Sequence, residues 1–154
     1  MLRRPLFRQN HFLISSVRSA PATGPTISLK DVAKIPLILP AHLNARRVVI
    51  DRTFAEAGLS LNLAAEAVTV SSELSAVRSG AASTILNLGD MSGFSLEDFA
   101  NPVLIEPTFF LTCCILWSNE HSLPLAAVGV RELLIEVLKD HIQQTKRPGA
   151  VWLD

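Results

Sequence analysis

Hydrophobic and polar positions along the chain change period several times, and each change predicts an element. Residues 12–17 (FLISSV) read as a short strand, followed by the turn-forming run Ser19, Ala20, Pro21, Ala22, Thr23, Gly24 and Pro25. Residues 27–33 predict a small helical turn started by Ser28. Pro36 and Pro40 then bracket Leu37-Ile38-Leu39, as expected of a short buried strand. Residues 44–57 predict a helix: Asn44 suits the N-cap, Ile50, Phe54 and Ala57 share a face, and Gly58 sits where a C-cap glycine belongs. A strand is predicted at 61–69. A second helix is expected at 73–79, capped by Ser71 or Ser72 and ended by Gly80. Residues 83–88 predict another strand, leading into a loop with Gly89 and Gly93.

Strands at 101–106 and 109–117 are separated by Pro107. The last helix is expected to start near Ser122, with Pro124 in its first turn. Ala126, Val130, Leu133, Leu134, Val137 and Leu138 recur at helical spacing and predict a core-facing stripe. Residues 146–154 read as a tail in which Trp152 has no evident partner. Strands alternating with helices predict an α/β fold built on a mostly parallel sheet.

Apolar residues make up 49% of the 154, which excludes a disordered chain. Mean hydropathy is +0.34, yet no apolar run approaches the roughly 20 residues a membrane helix requires. The high value therefore predicts strands covered on both faces. Lys and Arg (14) balance Asp and Glu (14), so the basic excess of a free-standing nucleic-acid binder is absent.

Cys113 and Cys114 are adjacent, so on a strand they point to opposite faces and do not pair; buried thiols of a reducing cytosol are expected. No spacing suits a metal, and no cofactor is called for. Arg3, Arg4, Arg8 and Arg18, with no acid before Asp31, also fit an organelle transit peptide. The chain carries no nucleophile elbow, P-loop, dinucleotide fingerprint or zinc-protease motif. Glu97 and Asp98 lack a partner base, and no enzyme is predicted.

Five segments, in order, resemble the effector-binding (substrate-binding) domain of LysR-type transcriptional regulators. They are PLFRQNHFLI (5–14), ISLKDVAKIPLILP (27–40), RRVVIDRTFAEAG (46–58), VRSGAASTIL (77–86) and residues 124–139. The resemblance implies a bilobal, periplasmic-binding-protein-like (Rossmann-like) domain with its second lobe complete and its first lobe partial. Residues 1–35 would be first lobe and crossover, 36–107 the second lobe, 108–145 the crossover strand and terminal helix, and 146–154 the tail. It makes the basic start mid-domain sequence and implies that the DNA-binding helix-turn-helix is missing. One departure is Asn87, where many relatives carry Pro, which bears on the loop that follows.

The resemblance further implies a small, anionic effector between the lobes, where helix N-termini present unpaired N–H groups. The matching positions are Ala41, His42, Leu43 and Asn44 in one loop, and Val70, Ser71 and Ser72 in another. Helix capping explains residues such as Asn44, Ser71 and Ser72 more often than ligand binding does, and His42 reads as an exposed loop residue. A cytoplasmic protein is implied, with no membrane contact, homo-oligomeric in the parent family, reaching DNA only through the missing domain. A free-standing solute-binding protein of the same bilobal fold is the alternative.

Overall fold

The structure, a computed structural model, describes residues 1–22, 24–119 and 123–153. In chain order the elements are β1 (Leu2–Asn10), β2 (Phe12–Ile14), β3 (Thr26–Ser28), α1 (Leu29–Val32), β4 (Leu37–Pro40), α2 (Ala45–Glu56) and β5 (Leu63–Ala67). There follow α3 (Val70–Arg78), β6 (Thr84–Leu86), β7 (Val103–Glu106), β8 (Phe110–Trp117), α4 (Leu125–Thr145) and β9 (Ala150–Trp152). They fall into two units, a larger one of residues Asn10–Leu111 and a smaller one of Met1–Gln9 with Thr112–Asp154.

In the larger unit, β3, β7, β2 and β6 form one sheet, and β4 and β5 pair beside it. Hydrogen bonds from Ile38 N–H to Ser83 O (2.9 Å) and from Ser83 N–H to Pro36 O (2.9 Å) attach β4 next to β6. The strand order is thus β5-β4-β6-β2-β7-β3. β4 runs parallel to β5 and β3 parallel to β7, while β2 is antiparallel to both β6 and β7.

Strand periodicity sorts the apolar side chains onto two faces. Leu37, Leu39, Leu13, Ile85 and Ile105 point to one face and pack under α1 and α2 through Leu29, Val32, Ile50 and Phe54. Ile38, Phe12, Ile14 and Leu86 point to the other and meet Leu74 and Val77 of α3. β2, β4 and β6 are buried along their whole length, which the continuous apolar run between Pro36 and Pro40 anticipates. Burying a side chain such as Ile50 or Phe54, each at most 1% exposed, contributes roughly 1.5–3 kcal/mol.

In the smaller unit β1 lies between β8 and β9. Trp152 is not the unpartnered tail residue expected from the sequence. β9 pairs antiparallel with β1, Phe7 stands opposite Trp152, and their rings stack with centroids 6.4 Å apart. The short β9 is separated from its partner by most of the chain, so no local signal announces it.

Two other expectations fail in this unit. The stripe on α4 is not core-facing: Val130, Leu133, Leu134 and Val137 are exposed, and the buried residue of the helix is Ile135. The cysteines are not buried either, since β8 alternates between exposed and half-buried positions, leaving Cys113 half-buried and Cys114 exposed. α4 begins at Leu125 after Pro124; the start expected near Ser122 lies outside the described residues. Among the described residues no helix is long and apolar enough to cross a membrane.

Candidate functional site

The connections of the larger unit create a switch point in its sheet. From β4 the chain leaves through α2 to β5 on the outer side, returns through α3 to β6 on the inner side, and then moves away toward β7. The strand order therefore reverses between β4 and β6. In doubly wound sheets the crevice beyond the carboxyl ends of the strands at such a switch point is the binding position. Three connections converge there: residues 41–44 after β4, residues 68–69 between β5 and α3, and the turn at 87–90 after β6.

The first loop ends in the N-cap of α2. Asn44 is extended (φ −74°, ψ 135°), and its side-chain oxygen accepts from Arg46 N–H at 2.9 Å. Ala41, His42 and Leu43 are exposed and irregular, as the sequence suggests for His42. The second loop ends differently from the expectation. Thr69, not Ser71 or Ser72, caps α3, accepting from Ser72 N–H at 3.1 Å, so the helix starts three residues early at Val70. Ser72 Oγ bonds back to Thr69 Oγ1 at 2.9 Å, Val70 is half-buried, and Ser71 is exposed on the first turn. The capping roles can be assigned residue by residue. Asn44 is a cap, Ser72 is tied to one, and Ser71 is committed to neither.

Beneath these loops lies a polar network that sequence reading missed. Arg46, on the first turn of α2, is 6% exposed and donates from Nη2 to Glu73 Oε1 at 2.5 Å. Its Nη1 donates to Ile85 O at 3.3 Å and stands 3.8 Å from Asp90 Oδ2. Glu73, on the first turn of α3, is 1% exposed and accepts on its other oxygen from Thr84 Oγ1 at 2.8 Å. Burial pushes the Glu73 carboxyl up from the usual range, and the Arg46 guanidinium and Thr84 hydroxyl pull it back. Arg47 acts on the same loop from outside: its Nη1 donates to Pro40 O (2.9 Å) and Glu66 Oε1 (2.7 Å), and its Nε to Asp51 (2.8 Å). The run RRVVID looks like an exposed helix start, and only its fit against two later strands reveals that both arginines turn inward.

The third wall settles the loop left open by the departure at Asn87. Asn87 opens a tight turn, its Oδ1 accepting from Asp90 N–H at 3.2 Å and its Nδ2 donating to Asp90 Oδ2 at 2.7 Å. Burial raises the Asp90 carboxyl, against the Arg46 charge and the Asn87 amide, which lower it. Across β2 from this turn, His11 is 1% exposed. Its Nδ1 lies 3.3 Å from Phe109 O, its ring stacks on Phe109 at 4.8 Å, and its Nε2 has no partner. Desolvation lowers its pKa to about 4. Among the described residues no group of three or more His, Cys, Asp or Glu could hold a metal ion.

The fold defines a class: a doubly wound α/β unit with helices on both faces of its sheet and a switch point between β4 and β6. The family model described as the LysR substrate binding domain matches residues 1–139, and the chain belongs to that family.

Solved structures agree on the fold. HinK, a LysR family transcriptional regulator from Pseudomonas aeruginosa, matches with a TM-score of 0.72 at 18% identity, over 85% of this chain and 45% of its own. The effector binding domain of QuiR in complex with shikimate matches with a TM-score of 0.74 at 19% identity, over 91% of this chain and 66% of its own. The Synechocystis CcmR regulatory domain in complex with 2-PG gives 0.78 at 12% identity, over 88% and 66%. The chain thus spans about half the length of the full regulators it resembles. Comparison with curated proteins gives no match.

Proposed function

We propose that this chain is the effector-sensing part of a LysR-type regulator, and that it binds a small anionic metabolite at the carboxyl edge of β4 and β6. The observation that carries the reading is the convergence of two helix N-termini at the switch point. α2 and α3 bring the positive ends of their dipoles to adjacent loops, and their first-turn N–H groups are only partly capped. Ala41, His42 and Asn44 contribute from the first loop, and Val70, Ser71 and Ser72 from the second. The exposed Ser71 hydroxyl is the best placed of these for a ligand, since capping does not employ it.

The reading places the protein in the cytoplasm as a sensor rather than an enzyme. It reaches DNA only through a helix-turn-helix that is no part of these residues, and it associates with like subunits as its family does. No nucleophile–base pair among the described residues competes with this reading. Titration calorimetry of the purified chain with shikimate and with 2-PG tests it. Binding of either that weakens in Ser71→Ala supports the reading, whereas heats equal to dilution for both, and for a wider panel of small carboxylates and phosphates, overturn it.

A further inference from the structure

We infer that Asp90 is a specificity-determining residue of this site, and that the ligand it selects carries a hydroxyl or ammonium donor beside its anionic group. The inference rests on the reading of the β4–β6 edge as the effector site. Charges at the edge point to it: Arg46 is neutralised by Glu73 at 2.5 Å, which leaves the Asp90 carboxylate as the excess charge. Two helix N-termini contribute roughly half a positive charge each. A bare anion is therefore drawn to the loops at 41–44 and 69–72 and repelled from the turn at 87–90. A ligand with a donor on its far side satisfies both.

One acceptor at this edge, and one buried in the sheet beside it, lack donors. Asp90 Oδ2 takes the Asn87 amide, but Oδ1 receives no hydrogen bond from a described residue, and the side chain is 35% exposed. The second is His11. Phe12 stands opposite Leu86, so His11 lies beside Asn87 in the β2–β6 register. With Nδ1–H directed at Phe109 O, Nε2 is a bare acceptor that nothing in the described chain satisfies. The partly exposed Asp90 acceptor beside two helix N-termini recognises a hydroxy or amino carboxylate better than its deoxy counterpart. Asn87 makes this possible: proline there could not hold the Asp90 carboxylate with a side-chain amide.

The test is calorimetric titration of the chain with matched pairs, L-malate against succinate and 3-hydroxybutyrate against butyrate. The hydroxylated member of a pair is expected to bind about tenfold or more tightly, as charge-assisted hydrogen bonds give. Asp90→Ala is expected to shrink that ratio to near one while leaving binding of the deoxy member unchanged or stronger. Asp90→Asn, which keeps the turn, serves as the check that the effect is not unfolding; thermal melts of both variants accompany the titrations. Equal binding of both members by the unaltered chain, or a ratio preserved in both variants, overturns the inference while the anion site stands. Absence of binding by every acid overturns the site and the inference together.

Discussion

Arg46 and Glu73 come from the first turns of two different helices and meet at 2.5 Å beneath the loops those helices begin from. The pair locks α2 to α3 across the sheet, and Thr84 fixes the free carboxylate oxygen from β6. A buried pair of this kind is dangerous to break, because either partner left alone is a charge without solvent. Arg46→Met is expected to cost about 3–5 kcal/mol in urea unfolding followed by circular dichroism. The double change Arg46→Met with Glu73→Met is expected to recover a large part of that loss. Additive losses in the double variant would mean that the two side chains act independently.

The cap of α3 separates stability from binding. Thr69→Ala removes the acceptor for Ser72 N–H and is expected to lower stability by about 1 kcal/mol. Ser71→Ala removes an exposed hydroxyl that makes no capping bond, so its unfolding midpoint is expected to stay within about 0.5 kcal/mol of the parent. Only anion affinity should respond to Ser71. If Ser71→Ala destabilises as much as Thr69→Ala, the assignment of the cap is wrong.

His11 sets a pH dependence whose sign follows from its burial. Its folded pKa, about 4, lies below the ordinary 6.5, so between these values the unfolded chain binds a proton that the folded chain refuses. Stability therefore rises with pH across this window and is lost as pH falls from about 6.5 toward 4. The total is about 3 kcal/mol at 1.36 kcal/mol per pKa unit. Denaturation between pH 4 and 7 should show the slope, and His11→Phe, which keeps the stack on Phe109, should flatten it. An unchanged slope in that variant would move the effect to other groups.

How much of this was legible in the sequence depends on the range of the interaction. The helix around Ile50 and Phe54, its Asn44 cap and the strand between Pro36 and Pro40 depend on neighbours within a few residues, and their patterns survive in the linear text. The two loops at Asn44 and Ser71 are placed at one edge by the resemblance to LysR effector domains, not by any local pattern. Arg46 and Arg47 could not be read as inward-facing, since their partners Glu73 and Glu66 lie on later elements and arginine on a helix is ordinarily solvated. β9 failed for the same reason: its pairing with β1 spans nearly the whole chain. The α4 stripe failed in the opposite sense. Its period was correct, but periodicity states only that a face is apolar, and not that anything covers it.

That uncovered face yields the last prediction. Val130 (66% exposed), Leu133 (60%) and Val137 (54%) project from α4, while Ile135 (8%) is the residue that helix buries. A contiguous apolar surface of this kind drives association. Replacing Val130, Leu133 and Val137 together by Gln removes apolar area from solvent contact without removing packing. Each change should therefore shift stability by no more than about 0.5 kcal/mol. The same triple variant should sediment with less self-association than the parent at equal concentration. Ile135→Ala is the contrast, with an expected loss of about 2 kcal/mol or more, because it empties a buried position. If the triple variant unfolds as readily as Ile135→Ala, then α4 presents this stripe to a core after all. If it melts like the parent yet associates undiminished, the self-association comes from another surface.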